Sequence, residues 1–264
     1  MHEGGAYSGI WPVEHKSIRM AHRMNDVPPL SASSRALVAE SWATRWLVEV
    51  EAEMRFRDFA ERLASAGFSK DLSELAAKAA ADERRHASHC EELALAYGHA
   101  PVRGTEPKGP APIAPHALAG PQKLLYEVTA ACCVAETEST GTLVTLVDLA
   151  QEPRIKEVCH ELARDEITHA RLGWATLEAA RGKTDLAFLA PYVPAMWRNP
   201  MTEAMFGAPQ PEREDPALAA YGVLPLSKQR EVFVQTLRDV VFPGFSRMGI
   251  DVSAGQRWLD ARVS

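Results

Sequence analysis

The chain has 264 residues, 46% hydrophobic and 24% charged, which is enough apolar material to bury a core and excludes disorder over most of the length. The formal net charge is −6, and no Lys/Arg cluster of the kind that tracks a phosphate backbone occurs, so nucleic acid is not an expected partner. Residues 1–23 lack the apolar stretch of a signal peptide, the longest later apolar run (143–149) is interrupted by Asp148, and Cys90, Cys132, Cys133 and Cys159 form no CxxC. A cytoplasmic chain with no membrane segment and reduced cysteines is expected.

From about residue 33 to 181 the apolar residues recur at three and four, the period of helices, and no segment reads as a strand. Ser33 or Ser34 can cap a first helix whose stripe is Val38, Trp42, Trp46, Phe56, Phe59 and Leu63, ending at Gly67. A second helix spans about 70–97 and ends at Gly98. Residues 99–121 contain six prolines and three glycines, so they form a stiff, extended linker, long enough to run the length of a helix. A third helix covers about 122–150. The fourth begins at Pro153, which suits a first helical position, and ends before Gly182. Hairpin, long crossover, hairpin is the wiring of an all-α four-helix bundle with one crossover, from helix 2 to helix 3. Residues 1–32 are then an N-terminal extension, 33–183 the bundle, and 184–264 a C-terminal helical extension packed on it, with helices near 227–241 and 254–261.

Two segments echo each other, AADERRHA at 80–87 and ARDEITHA at 163–170. A Glu and a His three residues apart share a helical face and can reach one metal ion, which makes Glu83 with His86, and Glu166 with His169, candidate ligand pairs. With 24 Glu and nine His, about one ExxH arises by chance, so the spacing alone proves nothing. A third match, Glu157 with His160, falls on the opposite face of the same helix and is expected in solvent. A dinuclear carboxylate site needs one more inward Glu from each hairpin's first helix. Glu136 stands among Cys132, Cys133, Thr140 and Leu143, where an unpaired carboxylate is costly, whereas Glu138 points about 200° away and is placed outside. On the first helix Glu49 shares the stripe of Trp42, Phe56 and Leu63, while Glu53 mirrors Glu136 in the repeat offset. Both stay open, and Glu51 is expected to face solvent. Asp82 and Asp165 can either orient a ligand His on a neighbouring helix or lie at the surface. His89 can be a donor behind the ligands or an exposed side chain. Cys90, Cys159, Trp42, Trp46 and Trp174 read as packing.

The order Glu49, Glu83-Arg-Arg-His86, Glu136, Glu166-Ile-Thr-His169 resembles the ferritin-like di-iron carboxylate superfamily. CCVAETES, LARDEITHARLGW and DPALAAYGVLPLSKQR resemble bacterial ferritin-like domain proteins of largely unassigned activity. The resemblance implies six ligands, Glu49, Glu83, His86, Glu136, Glu166 and His169, with Glu83 and Glu166 as bridges, and its spacing favours Glu49 over Glu53. Leu162 occupies the place where ferritin-like arylamine N-oxygenases carry an extra His, so no seventh ligand of that type is implied. Thr140, one turn after Glu136, matches the threonine that bacterial di-iron monooxygenases carry near bound oxygen; its alternative is a hydroxyl bonded to its own backbone.

Carboxylates and imidazoles suit two iron ions, with manganese possible, and the resemblance implies a dinuclear oxidoreductase that activates dioxygen to oxidise or oxygenate a small organic substrate. Tyr192, Trp197, Met201, Met205, Phe206 and Phe233 of the extension are candidates for a pocket wall or lid. No rubredoxin-like cysteines or flavin fingerprint occur, so a separate electron donor, a reductase or ferredoxin, is expected, as is a monomer or homodimer. The alternatives are a ferroxidase or rubrerythrin-like peroxide or iron-handling protein, and a metal-free ferritin-like binding or structural protein.

Overall fold

The computed structural model describes residues 29–99 and 108–263; most of the expected N-terminal extension and residues 100–107 of the linker lie outside them. Among the described residues there is no strand, and no helix is long and apolar enough to cross a membrane.

Helix α1 (Ala32–Ser65) is capped two or three residues earlier than expected, by Ser31, whose hydroxyl accepts the Ser34 amide at 3.0 Å. Three nearby serines can each cap, and the upstream one does so here. Helix α2 (Lys70–Tyr97) ends in a Schellman motif: Gly98 adopts φ 103° while the His99 amide donates to Ala94 O at 2.9 Å. The two helices pack against each other along their length. The crossover is then pinned to the middle of α1, where Arg55 donates to Ala111 O at 2.9 Å and Glu51 accepts the Ala111 amide at 3.2 Å. Glu51 is therefore not a free surface carboxylate, because the crossover covers its face and Arg55 pairs with it.

Helix α3 runs over 120–149 and is not a uniform α-helix. Gly120–Val128 is α-helical, Thr129–Ala135 is a π-helical stretch, and Glu136–Leu149 resumes the α-helix. A π stretch adds residues to a turn and so rotates the face that follows, and here Glu136 is the first residue after it. Helix α4 (Pro153–Ala180) follows a short connection held by Gln151 and Glu152 amides on Ala220 O, with the Glu152 carboxylate capping the Ile155 amide at 2.7 Å.

The C-terminal region is more structured than its prolines suggest. It holds a 3₁₀ stretch (Leu186–Ala195), α5 (Pro200–Phe206), a further 3₁₀ turn at Pro216–Tyr221, α6 over 226–247 and α7 (Ser253–Val263). Asp185, Asn199 and Asp215 cap their starts, so each short helix begins at a side chain that satisfies its first amides. Tyr192, Trp197, Met205, Phe206 and Phe233 join Phe242 and Phe245 in an aromatic core against Tyr126 of α3, while Met201 is exposed. They build the extension rather than a lid. The extension also enters the bundle: Trp42 Nε1 donates to Tyr221 O at 3.1 Å, and Gly141 of α3 abuts Val232 and Thr236 of α6.

Candidate metal centre

Helix periodicity places Glu83 and His86 on one face of α2, and Glu166 and His169 on one face of α4. The two faces meet. His86 Nδ1 lies 3.1 Å from Glu83 Oε2, and His169 Nδ1 lies 2.8 Å from Glu166 Oε2 and 2.9 Å from Glu83 Oε1. Glu49 arrives from α1 and Glu136 from α3. Ligand atoms of Glu49, Glu83, His86 and Glu166 all lie within 4.8 Å of one another, and so do those of Glu83, Glu136, Glu166 and His169. Glu83 and Glu166 belong to both groups, so the six residues form two adjoining four-donor sets with two shared carboxylates. Five of the six are buried, and Glu136 alone keeps partial solvent access. Glu53 stays outside, with its Oε1 taken by Arg84 Nη2 at 2.6 Å. Glu157 and His160 are exposed, and Glu157 pairs with Arg154.

The imidazoles are held from behind, each by the other helix. His86 Nε2 faces Asp165 Oδ2 at 3.3 Å and His169 Nε2 faces Asp82 Oδ2 at 3.5 Å. A carboxylate only accepts hydrogen bonds, so Asp165 favours a proton on His86 Nε2 with Nδ1 toward the cluster, and Asp82, as the carboxylate facing His169 Nε2, favours the same orientation there. Pairing 82 with 169 and 86 with 165 also shows that α2 and α4 run antiparallel. Arg85 clamps both aspartates, donating to Asp82 Oδ1 at 3.0 Å and to Asp165 Oδ2, and it reaches Glu161 at 2.7 Å. Arg85 is a residue that sequence reasoning missed. The signal was available in D-E-R-R-H, an Arg one position before the His, but the second repeat carries Thr168 there. His89 belongs to a surface network with Arg154 and Glu161. Phe56 packs its ring 5.1 Å from that of His169.

The charges of the cluster demand compensation. Burial, with Glu83 and Glu166 alongside, pushes the Glu49 carboxyl well above the usual range, and burial with the same two neighbours does so for Glu136. Burial pulls Glu83 the same way, but hydrogen bonds from His169 and His86 outweigh it and bring its pKa down to about 2. Both imidazoles are raised: burial opposes this, and their bonds to Glu83, with Asp82 and Glu166 for His169, prevail. Two divalent cations would balance the charges of the four carboxylates. Glu83 Oε1 is buried, with His169 Nδ1 beside it at 2.9 Å. Oxygen and imidazole donors without thiolate suit ferrous iron or manganese.

Gly173, one turn beyond His169, lets the π stretch come close. A Cβ there would stand 2.6 Å from Cys133 Sγ and 2.8 Å from the Cys133 amide nitrogen. Ser139, which the sequence did not single out, donates to Glu166 Oε1 at 3.3 Å. Thr140 donates to Glu136 O at 2.7 Å, the backbone bond that is common for a helical threonine. Glu138 is not on an outer surface: burial raises its pKa, while Arg45 and a Thr142 hydrogen bond lower it. Arg45 of α1 faces it there.

Residues 46–176 match the family model for Rubrerythrin. That stretch is a domain of the ferritin-like di-iron carboxylate superfamily. The matched stretch opens three residues before Glu49 and closes seven after His169, so the rubrerythrin-type domain contains all six clustered residues, and the C-terminal extension lies beyond it. Comparison with curated proteins and with solved structures returns no match.

Proposed function

We propose that Glu49, Glu83, His86, Glu136, Glu166 and His169 hold two iron ions, with Glu83 and Glu166 between them, and that the chain is an oxidoreductase using dioxygen on a small organic substrate. The observation that carries this is the pair of four-donor sets sharing two carboxylates inside a buried bundle. Two ferrous ions would supply electrons and open positions for the reduction of dioxygen.

The chain's own residues fix the rest. Asp82 and Asp165 hold the imidazoles in the tautomer that leaves Nδ1 free to donate, and Arg85 fixes both aspartates. Ser139 orients Glu166 and limits the carboxylate's swing. Glu136 stands on the side open to solvent, where small reactants enter, while the other five exclude water. Thr140 lies on that side; with its proton on the Glu136 carbonyl, its oxygen offers an acceptor to a proton-bearing reactant. Electrons come from a separate reductase or ferredoxin, and manganese is the alternative metal.

The family match favours a second reading, reduction of peroxide in the manner of a rubrerythrin-like protein. One experiment separates the two. Iron-loaded, chemically reduced protein is mixed with dioxygen or with hydrogen peroxide, and each is followed beside a Glu136→Ala control. Dioxygen uptake above the control is expected. Fast peroxide consumption with no dioxygen uptake selects the second reading, and no consumption of either overturns both.

A further inference from the structure

The two halves of the centre repeat, with Asp82, Glu83 and His86 answering to Asp165, Glu166 and His169, but Arg85 answers to Thr168. Arg85 lies on the seam between α2 and α4. Its Nη2 carries two N–H groups, and this nitrogen donates both to Asp82 Oδ1, at 3.0 Å, and to Asp165 Oδ2. Its Nε donates to Glu161 Oε1 at 2.7 Å, which fixes the plane of the fork. Each aspartate in turn faces the imidazole of the opposite repeat, Asp165 that of His86 and Asp82 that of His169. One amino group therefore stands behind both imidazoles, and each imidazole belongs to a different four-donor set. The mirror of this clamp lacks its third anchor, because the residue that answers to Glu161 is Lys78, a cation and not an acceptor.

The side chains of Asp82 and Asp165 are only 10% and 12% exposed, so they are neighbouring negative charges with little water to screen them. Asp165 keeps a second cation, with Arg164 Nε 3.0 Å from its Oδ1. Asp82 has Arg85 alone besides His169 among the described residues. A carboxylate that orients a ligand imidazole does so only if it is itself held. We propose that Arg85 is the positioning residue common to both metal positions: its loss weakens both metals, the one at His169 more, whereas loss of either aspartate weakens chiefly the metal at the histidine it faces. This rests on the two-metal reading and adds that the halves, besides sharing Glu83 and Glu166, share the support of their imidazoles.

The test reads each set alone. Glu136→Ala leaves the set of Glu49 and His86, and Glu49→Ala leaves the set of Glu136 and His169. Each full-length protein is titrated calorimetrically with manganous ion, with and without Arg85→Gln. Arg85→Gln is expected to weaken binding about 10- to 100-fold in both backgrounds, with the larger loss at His169. Because Arg85 acts there through Asp82, adding Arg85→Gln to Asp82→Ala in the Glu49→Ala background should cost little more than Asp82→Ala alone. A purely structural role would give the full loss again. Either set binding as tightly without Arg85 as with it overturns the proposal, and so does an undiminished Arg85→Gln effect when Asp82 is absent. Should Arg85→Gln not fold, Arg85→Lys, which keeps the charge and loses the fork, is held to the same criteria, with a smaller loss expected at both sets. Metal per chain in the wild type separates this proposal from the reading beneath it. Fewer than two metals overturns both, whereas two metals with one set indifferent to Arg85 removes only the shared support.

Discussion

Replacing Gly173 with alanine tests how the π stretch of α3 is seated against α4. The added Cβ would stand 2.6 Å from Cys133 Sγ, 2.7 Å from Cys132 Cβ and 2.8 Å from the Cys133 amide nitrogen. Comfortable contacts of this kind lie at about 3.5–4.0 Å. Because one obstacle is backbone, a side-chain rotation does not relieve the clash, and the π stretch must retreat by roughly 1 Å. Glu136 follows that stretch directly, and metal–ligand distances tolerate only about ±0.2 Å. The set of Glu136 and His169 is therefore expected to lose its metal while the set of Glu49 and His86 keeps one. Overpacking costs about 1–3 kcal/mol, and alanine's better helix propensity returns about 1 kcal/mol, leaving a net loss of about 0–2 kcal/mol. At about 2–4 °C per kcal/mol, the metal-free protein should melt up to about 8 °C lower. The assay is metal per chain by elemental analysis, with thermal unfolding of the metal-free protein. A Gly173→Ala protein with two metals and an unchanged melting temperature would refute the reasoning.

Other substitutions probe the remaining parts of the site. Asp82→Ala or Asp165→Ala should weaken metal binding about 10- to 100-fold by freeing an imidazole, measured by competition with a chromophoric chelator. Glu53→Gln should leave two metals per chain, since it removes only the ion pair with the exposed Arg84; loss of metal on elemental analysis would reopen Glu53 as a ligand. Chelation of the metal should lower stability. Metal free at one hundred times its dissociation constant contributes about 2.7 kcal/mol per site, so each site lost should lower the melting temperature by about 5–11 °C in calorimetry.

The helices and the paired motif are legible in the sequence because their signals are local. Pro153, Gly98 and the two ExxH pairs act within one or two turns, and the proline-rich crossover can only be extended. What depends on neighbours is not legible. The aspartates' pairing with opposite histidines requires the register between α2 and α4, which no spacing within one helix contains. Angular position on an isolated helix puts both Glu51 and Glu138 outside. In the fold, the crossover covers one and the chain around Arg45 and Thr142 encloses the other. The π stretch escapes a 3.6-residue pattern by definition, since it breaks the period that the pattern assumes. The short 3₁₀ and α segments after residue 185 escape for another reason: prolines hide them, although Asp185, Asn199 and Asp215 ahead of them are ordinary capping signals.

The central claim is that two metals share Glu83 and Glu166. Elemental analysis of protein purified without chelators should give two metals per chain in the wild type. Glu83→Ala and Glu166→Ala should each lose both, while Glu49→Ala and Glu136→Ala each lose one. No metal in the wild type, or single-metal loss in all four variants, would contradict the account.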